Sequence, residues 1–442
     1  MSVVHHVIIP SMFRCWCLTA GMFLAACTNA PSTPPTKTTD VIVEIASTDV
    51  VSLVLPRTTS VPDTREVILK MWVEPELGLG PDSPGGLELK DQLLRFEEAN
   101  PGVEVELRIK RATGPGGMLD SIRTAVVAAP GALPDIIAVG SRIIQLAAYE
   151  GLIIELGDLV GSETLTEIYD FALESTRLDG RVFGIPFSSD ALVAVYSDEA
   201  YSSPPETWGD ILDIQEPLLF PAADEQALTA LQQYLALGGA LVGEDQEIAL
   251  TTDPLTQLLG YYADARRLGV LTAETLDYDA GSQTWAAYRG MGSQIVVTNA
   301  HNYILEHTMR SRTRAVPIPT EDGMRLALAE CWAYALVDSG PGRQTYALML
   351  VDWLMRPDNL GTWSIEAGYL PPRIGAVESW PTEDIRDFAS DILASSIPLP
   401  NATTLSVVGP PLKEAIASIM RGQAAPQGAA AAVINIVGDG QE

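Results

Sequence analysis

From Val67 onward the hydrophobic and polar positions alternate between two periods. VILKMWV, Val67 to Val73, is almost wholly apolar, as a strand covered on both faces would be. Leu89, Leu93 and Phe96 recur at helical spacing in LELKDQLLRFEEANPG, and Asn100-Pro101-Gly102 ends that helix. VEVELRI, Val103 to Ile109, alternates as a half-exposed strand does. After the turn GPGG, MLDSIRTAVVA places Leu119, Ile122 and Val126 on one helix face. PDIIAVG, Pro134 to Gly140, reads as another short buried strand. Strand, helix, strand, helix, strand predicts a parallel sheet with right-handed crossovers, hence an α/β fold.

More helices come later in the chain. TTDPLTQLLGYYADARRLG offers Asp253 as N-cap, Pro254 at the first helical position and Gly269 as the stop. Leu255, Leu258, Leu259 and Tyr262 form its apolar stripe. QTYALMLVDWLM and LKEAIASIM, Leu412 to Met420, are also amphipathic. No internal repeat is visible, and no apolar stretch after Cys27 is long enough to span a bilayer.

Before Val67 the pattern is different. CWCLTAGMFLAA, Cys15 to Ala26, is an apolar run of about 12 residues behind Arg14, the size of a signal-peptide core. Translation is expected to start at Met12, because the residues ahead of Arg14 are unusual for a charged flank. Leu24-Ala25-Ala26-Cys27 resembles a bacterial lipobox, which implies a lipid on Cys27; a plain cleavage site is the alternative. Ser, Thr and Pro dominate the stretch after Cys27, so residues 1–26 read as a signal peptide and 27–64 as a flexible tether. VIVEIA and VVSLVL, within Val41 to Leu55, alternate enough for one or two stray strands.

Composition narrows the function. A net charge of -30 gives no basic footprint for nucleic acid. Beyond the first 27 residues Cys331 is the only cysteine, so no disulfide or CxxC knuckle can form there; in ALAECWAYALV it reads as a small buried hydrophobe. HExxH, GxSxG, Walker and EF-hand patterns are absent, and neither a cofactor nor a metal is expected. His301 and His307 are not expected to catalyse, and carboxylate pairs such as Glu74 and Glu76 arise by chance in so acidic a chain.

Seven segments in order resemble one family. They are KMWVEPE, LLRFEEANPGVEVELR, LPDIIAVGSRIIQLAAYEGLIIELGDLV, LDGRVFGIPFSSDALVAVYSDEAY, ETWGDILD, WAAYRGMGSQIVV and MLVDWLMRPDNLGTWSIEAGYLPPRIGAV. Together they resemble the extracellular solute-binding proteins of bacterial ABC importers, family 1, whose best-known relatives bind maltodextrins. Tyr196-Ser197 stands where the family usually reads Tyr-Asn, and Met291-Gly292-Ser293-Gln294 departs from its Ala-Ala-Met.

The resemblance implies a type II periplasmic-binding-protein-like fold, two α/β lobes with a ligand cleft between them. Lobe one would hold residues 65–183 and 315–375, and lobe two 184–314 and 376–442, with crossings near Gly184-Ile185-Pro186 and Val316 to Pro319. It implies a monomer outside the cytoplasm, anchored to the cell membrane through Cys27, passing a small solute to ABC permease subunits. A carbohydrate is the expected solute, gripped by aromatic faces, carboxylates, amides and Arg. Trp72, Glu74, Arg142, Asp190, Asn299, His301, Trp332, Tyr369 and Arg373 are the expected ligand-binding residues. Trp72 and Trp332 also fit a core role; Trp353 and Trp363 fit helix packing, Trp208 a helix start, and Trp285 either role. A secreted glycan-acting enzyme and a binding lipoprotein serving a sensor remain as alternatives.

Overall fold

The fold is drawn from a computed structural model that describes residues 67–77, 83–243, 247–291, 295–307 and 312–439. The signal, lipobox, tether and stray-strand expectations lie outside the described residues. In chain order the strands are β1 (Val67–Val73), β2 (Val103–Ile109), β3 (Ile136–Gly140), β4 (Arg177–Leu178), β5 (Arg181–Val182), β6 (Ile185–Ser197), β7 (Leu218–Leu219), β8 (Ile295–Asn299), β9 (Thr313–Pro317), β10 (Ala327–Leu336) and β11 (Ser396–Pro398).

One sheet runs β2-β1-β3-β10-β6-β8-β7, with β11 beside β10 and β9 beside β6. β1 is parallel to both β2 and β3, as the alternating pattern predicts. β10 enters antiparallel between β3 and β6, returning from far along the chain. β6 is the continuous member: Ile185 to Ala191 pair with β10, and Leu192 to Tyr196 pair with β8 on one edge, while Val193 to Ser197 pair with β9 on the other. The change of partner falls at Ala191–Leu192, a few residues beyond Gly184. Gly184 keeps an ordinary φ; its use is close approach, since an added Cβ would come within 3.0 Å of the Ala333 Cβ.

Period-two alternation sorts the side chains into cores. Met71, Val73, Ile136 and Ala138 face a core shared with Leu89, Leu93 and Phe96. Trp72, Ile137 and Val139 face the opposite one, beneath the helices Met118–Ala128 and Ser141–Tyr149. In the second half of β6, Leu192, Ala194 and Tyr196 face a third core with Leu255, Leu258, Leu259 and Tyr262, the stripe read from sequence.

Several local expectations shift. The first helix is Pro84–Ala99, capped by Ser83, which accepts from the Gly86 N–H. In Met118–Ala128 the buried face is Met118, Leu119, Ile122 and Ala125, and Val126 is exposed. Helix Thr252–Arg267 starts after Thr251, two residues ahead of Asp253. LKEAIASIM is the end of a longer helix, Ala402–Met420, which contains Pro410 and Pro411. Proline removes a hydrogen bond there, and burial of Leu405, Val408, Leu412 and Ile416 in the third core holds the helix across it. Trp208 opens the helix Trp208–Ile214 behind a capping box at Thr207, and Trp353 donates to the Gln92 carbonyl, so both pack as structure. Trp285 is also buried, stacked on Tyr288. Cys331 is wholly buried, and desolvation pushes its thiol up to about 12, as a small core hydrophobe should show.

Candidate functional site

Six elements end or cross near one another at the partner change in β6. Glu74 follows β1 and is buried. Its Oε2 accepts from the Gly140 N–H at 3.2 Å and from the Trp332 indole N–H at 3.1 Å. Trp332, on β10, is 9% exposed, and its ring centroid lies 5.4 Å from that of Tyr369. Tyr369 in turn lies 4.5 Å from the His301 ring. Gly368, at φ 79°, ends the helix Pro357–Ala367 in the left-handed region and delivers Tyr369 to this position. The His301 Nδ1–H donates to the Gly368 carbonyl at 3.2 Å, which fixes the tautomer. Burial holds the imidazole below its ordinary range.

Asp190 is the centre of the second half of the network. Its Oδ1 accepts from the His301 backbone N–H at 3.0 Å and from the Ala191 N–H at 2.9 Å. Its Oδ2 accepts from the Asn299 amide at 3.0 Å. Asp190 therefore caps the helix Ala300–Glu306 from another strand, and Asn299 is that helix's N-cap residue. Desolvation pushes the Asp190 carboxyl up to about 7; the hydrogen bonds oppose this and Glu330 adds to it. Glu330 is the register partner of Asp190 across β10 and β6. Arg142, in helix Ser141–Tyr149, pairs with Glu330 at 2.9 Å.

A cavity of about 160 Å³ opens beside Asp190, walled also by Leu192, Asp224, Asp279, Asn299 and Glu330. A second, of about 200 Å³, holds Arg142 and Asn401 and shares Glu330 and Leu399 with the first. The two are neighbouring compartments along one seam, with the Arg142–Glu330 pair between them.

Of the nine expected residues, seven meet in this network: Glu74, Arg142, Asp190, Asn299, His301, Trp332 and Tyr369. Trp72 is not brought to it. Period two turns that ring away from Met71 and Val73, into the core beneath Met118–Ala128, where Lys110 Nζ lies 4.2 Å from its centroid. Arg373 is not brought to it either. Its guanidinium pairs with Glu167 and donates to the Met355 carbonyl, tying the 373 loop to the segment before Ile168. Tyr196 points into the third core beside Tyr201 and not toward the cavity. Sequence reasoning missed Asp224, Asp279 and Glu330. Glu330 had a signal, being the sole charge in ALAECWAYALV, two positions before Trp332. Asp224 and Asp279 lie in loops with no periodic pattern, so their approach to β6 is purely tertiary.

Two α/β halves built around one continuous strand, with a cavity at the change of partner, define a type II periplasmic-binding-protein-like fold with two lobes. The chain belongs to the bacterial extracellular solute-binding proteins, whose family model matches residues 93–389. Solved structures agree on the fold. The cyclic α-maltosyl-1,6-maltose binding protein from Arthrobacter globiformis is similar at a TM-score of 0.68 and 17% identity, over 84% of this chain and 98% of that one. The sugar-binding protein MalE from Xanthomonas citri is similar at 0.65 and 16%, over 85% and 98%. Maltose-bound MalE3 from T. maritima is similar at 0.63 and 16%, over 84% and 99%.

Proposed function

We propose that this protein captures a small solute, a carbohydrate or carbohydrate derivative, between its two lobes and passes it to the membrane permease of an ABC importer. One observation carries the reading. In a chain of the solute-binding family, residues from β1, β3, β6, β8, β10 and the 368–369 turn join in one network at the partner change of the sheet, and its β6, β8 and β10 members border a cavity there. The names of MalE3 from T. maritima and of the Arthrobacter globiformis protein state maltose and cyclic α-maltosyl-1,6-maltose as what those proteins bind, which supports a carbohydrate. The lobes are taken as 65–183 with 315–375 and 184–314 with 376–442, moving about the shared strands as a hinge. Glu74, Arg142, Asp190, Asn299, His301, Trp332 and Tyr369 are taken as the residues that shape the site.

A glycan-acting enzyme has one observation in its favour, the pairing of Asp190, pushed up to about 7, with the neighbouring Glu330. Against it, both Asp190 oxygens already accept hydrogen bonds within the protein, Oδ1 from the His301 backbone N–H and Oδ2 from the Asn299 amide, which occupies the carboxyl with structural partners. Calorimetric titration with neutral mono- and oligosaccharides, with reducing ends assayed in the same samples, separates the readings. Saturable binding with sugar recovered intact supports capture; steady release of reducing ends supports the enzyme and sinks this proposal.

Anchoring by a lipid on Cys27, with residues 27–64 as the tether, follows from the Leu24-Ala25-Ala26-Cys27 signal. A Cys27→Ala precursor should leave the membrane fraction of expressing cells. Retention there would contradict the anchor.

A further inference from the structure

The cavity beside Asp190 is one-sided in its hydrogen-bonding chemistry. Asp190, Asp224, Asp279 and Glu330 supply four carboxylates to its wall. No Lys, Arg or His lines it among the described residues. Among the described residues the only side-chain N–H donor on the wall is the Asn299 amide, and that amide donates to Asp190. Glu330 is, among the described residues, the one of these carboxylates with a guanidinium beside it, from Arg142 outside this wall. The rest of the lining, among the described residues, is aliphatic, including Leu192, Leu228 and Leu399, and contains no aromatic ring.

A neutral sugar presents hydroxyls that both donate and accept, and a site built for one mixes carboxylates with amides and guanidinium groups. An ammonium group presents three donors and no acceptor. It also relieves the mutual repulsion of carboxylates gathered in a partly desolvated space. The Asp190 and Asp224 carboxyls both feel that desolvation, each held above its ordinary range by burial. An aliphatic wall suits a saturated skeleton, whereas a ring stacked on an aromatic face needs a platform that this wall lacks.

We propose that the captured solute carries a protonated amine on a small saturated skeleton, with its ammonium held among Asp190, Asp224, Asp279 and Glu330. The proposal rests on the reading of this cavity as the solute site. Amino sugars and short aliphatic diamines share this chemistry, and the test distinguishes them.

The purified protein is titrated with matched pairs that differ only in the amine: glucosamine against glucose, and 1,4-diaminobutane against 1,4-butanediol. The amine member of at least one pair should bind about tenfold or more tighter than its neutral partner, a difference of about 1.4 kcal/mol. Asp279, exposed at the rim, can be changed without touching the core. Asp279→Asn should lower the amine-to-neutral ratio several-fold with the circular dichroism unchanged. Glu330→Gln is the second variant, and it should lower the same ratio. Neutral members binding as tightly as the amines would overturn the ammonium site and leave carbohydrate capture standing. Binding of the diamine with no response to any sugar would uphold the ammonium site and overturn the carbohydrate reading. No response to either amine overturns the inference.

Discussion

Asp190 shows how one side chain is asked to serve two demands. It caps the helix Ala300–Glu306 and it borders the cavity, and burial raises its carboxyl to about 7. In the unfolded chain an aspartate titrates near 3.9, so the native state binds the extra proton between the two values. Stability then falls as pH rises through that window, since protonation there favours the native state. The stabilisation is fully present below about pH 4 and is lost progressively up to about pH 7. Asp190→Asn removes this titration while keeping an acceptor for the His301 N–H. Relative to the wild type, the variant should therefore become more stable from pH 5 to pH 8, as read by denaturant midpoints at each pH. A gap that does not change with pH would show that Asp190 is ionised throughout. Residue-scale legibility followed the same division between local and distant partners. Glu74, Asn299 and His301 could be placed because they follow strand ends, which any strand prediction locates. Trp72 also ends a strand, yet the helix Met118–Ala128 covers it, and nothing local announces which face a distant helix will cover. Arg373 finds Glu167, a partner 206 residues away in sequence.

At the scale of elements, two glycines make opposite predictions from the same substitution. Gly368 sits at φ 79°, and an added Cβ would lie 2.6 Å from Leu305 and 3.0 Å from His301 Nδ1. Gly368→Ala should cost about 1–3 kcal/mol through backbone strain and displace Tyr369 from His301. Gly260 lies inside the helix Thr252–Arg267 with open space around its Cα. Gly260→Ala should stabilise by about 0.5–1 kcal/mol, because alanine loses less backbone freedom on folding. Urea denaturation of both variants checks the pair; equal effects would refute the strain assigned to the Gly368 turn. The helices and strands themselves were mostly legible, because their apolar periods survive into the packed structure. Starts and stops were less so: Thr251 begins a helix that seemed to start at Asp253, and a helix runs on through Pro410 and Pro411 because its buried face outweighs the lost hydrogen bond.

For the whole molecule, the architecture depends on strands that sequence could not order. The parallel trio β1, β2 and β3 follows from alternating elements, but the insertion of β10 between β3 and β6 joins segments far apart in the chain. That insertion brings Glu330 opposite Asp190 and Trp332 onto Glu74, and so assembles the site. The family resemblance anticipated two lobes, a cleft and Asp190, while the other carboxylates of the cavity, Asp224, Asp279 and Glu330, came only from the folded arrangement. If the two lobes are a capture device, saturating solute should close them about β6 and β10. The direct measurement is small-angle X-ray scattering of the purified protein, with and without a carbohydrate or amine shown by calorimetry to bind. Closure about β6 and β10 should give a smaller radius of gyration and a narrower distance distribution in the saturated sample. Identical scattering curves at proven saturation would contradict capture by closure of two lobes.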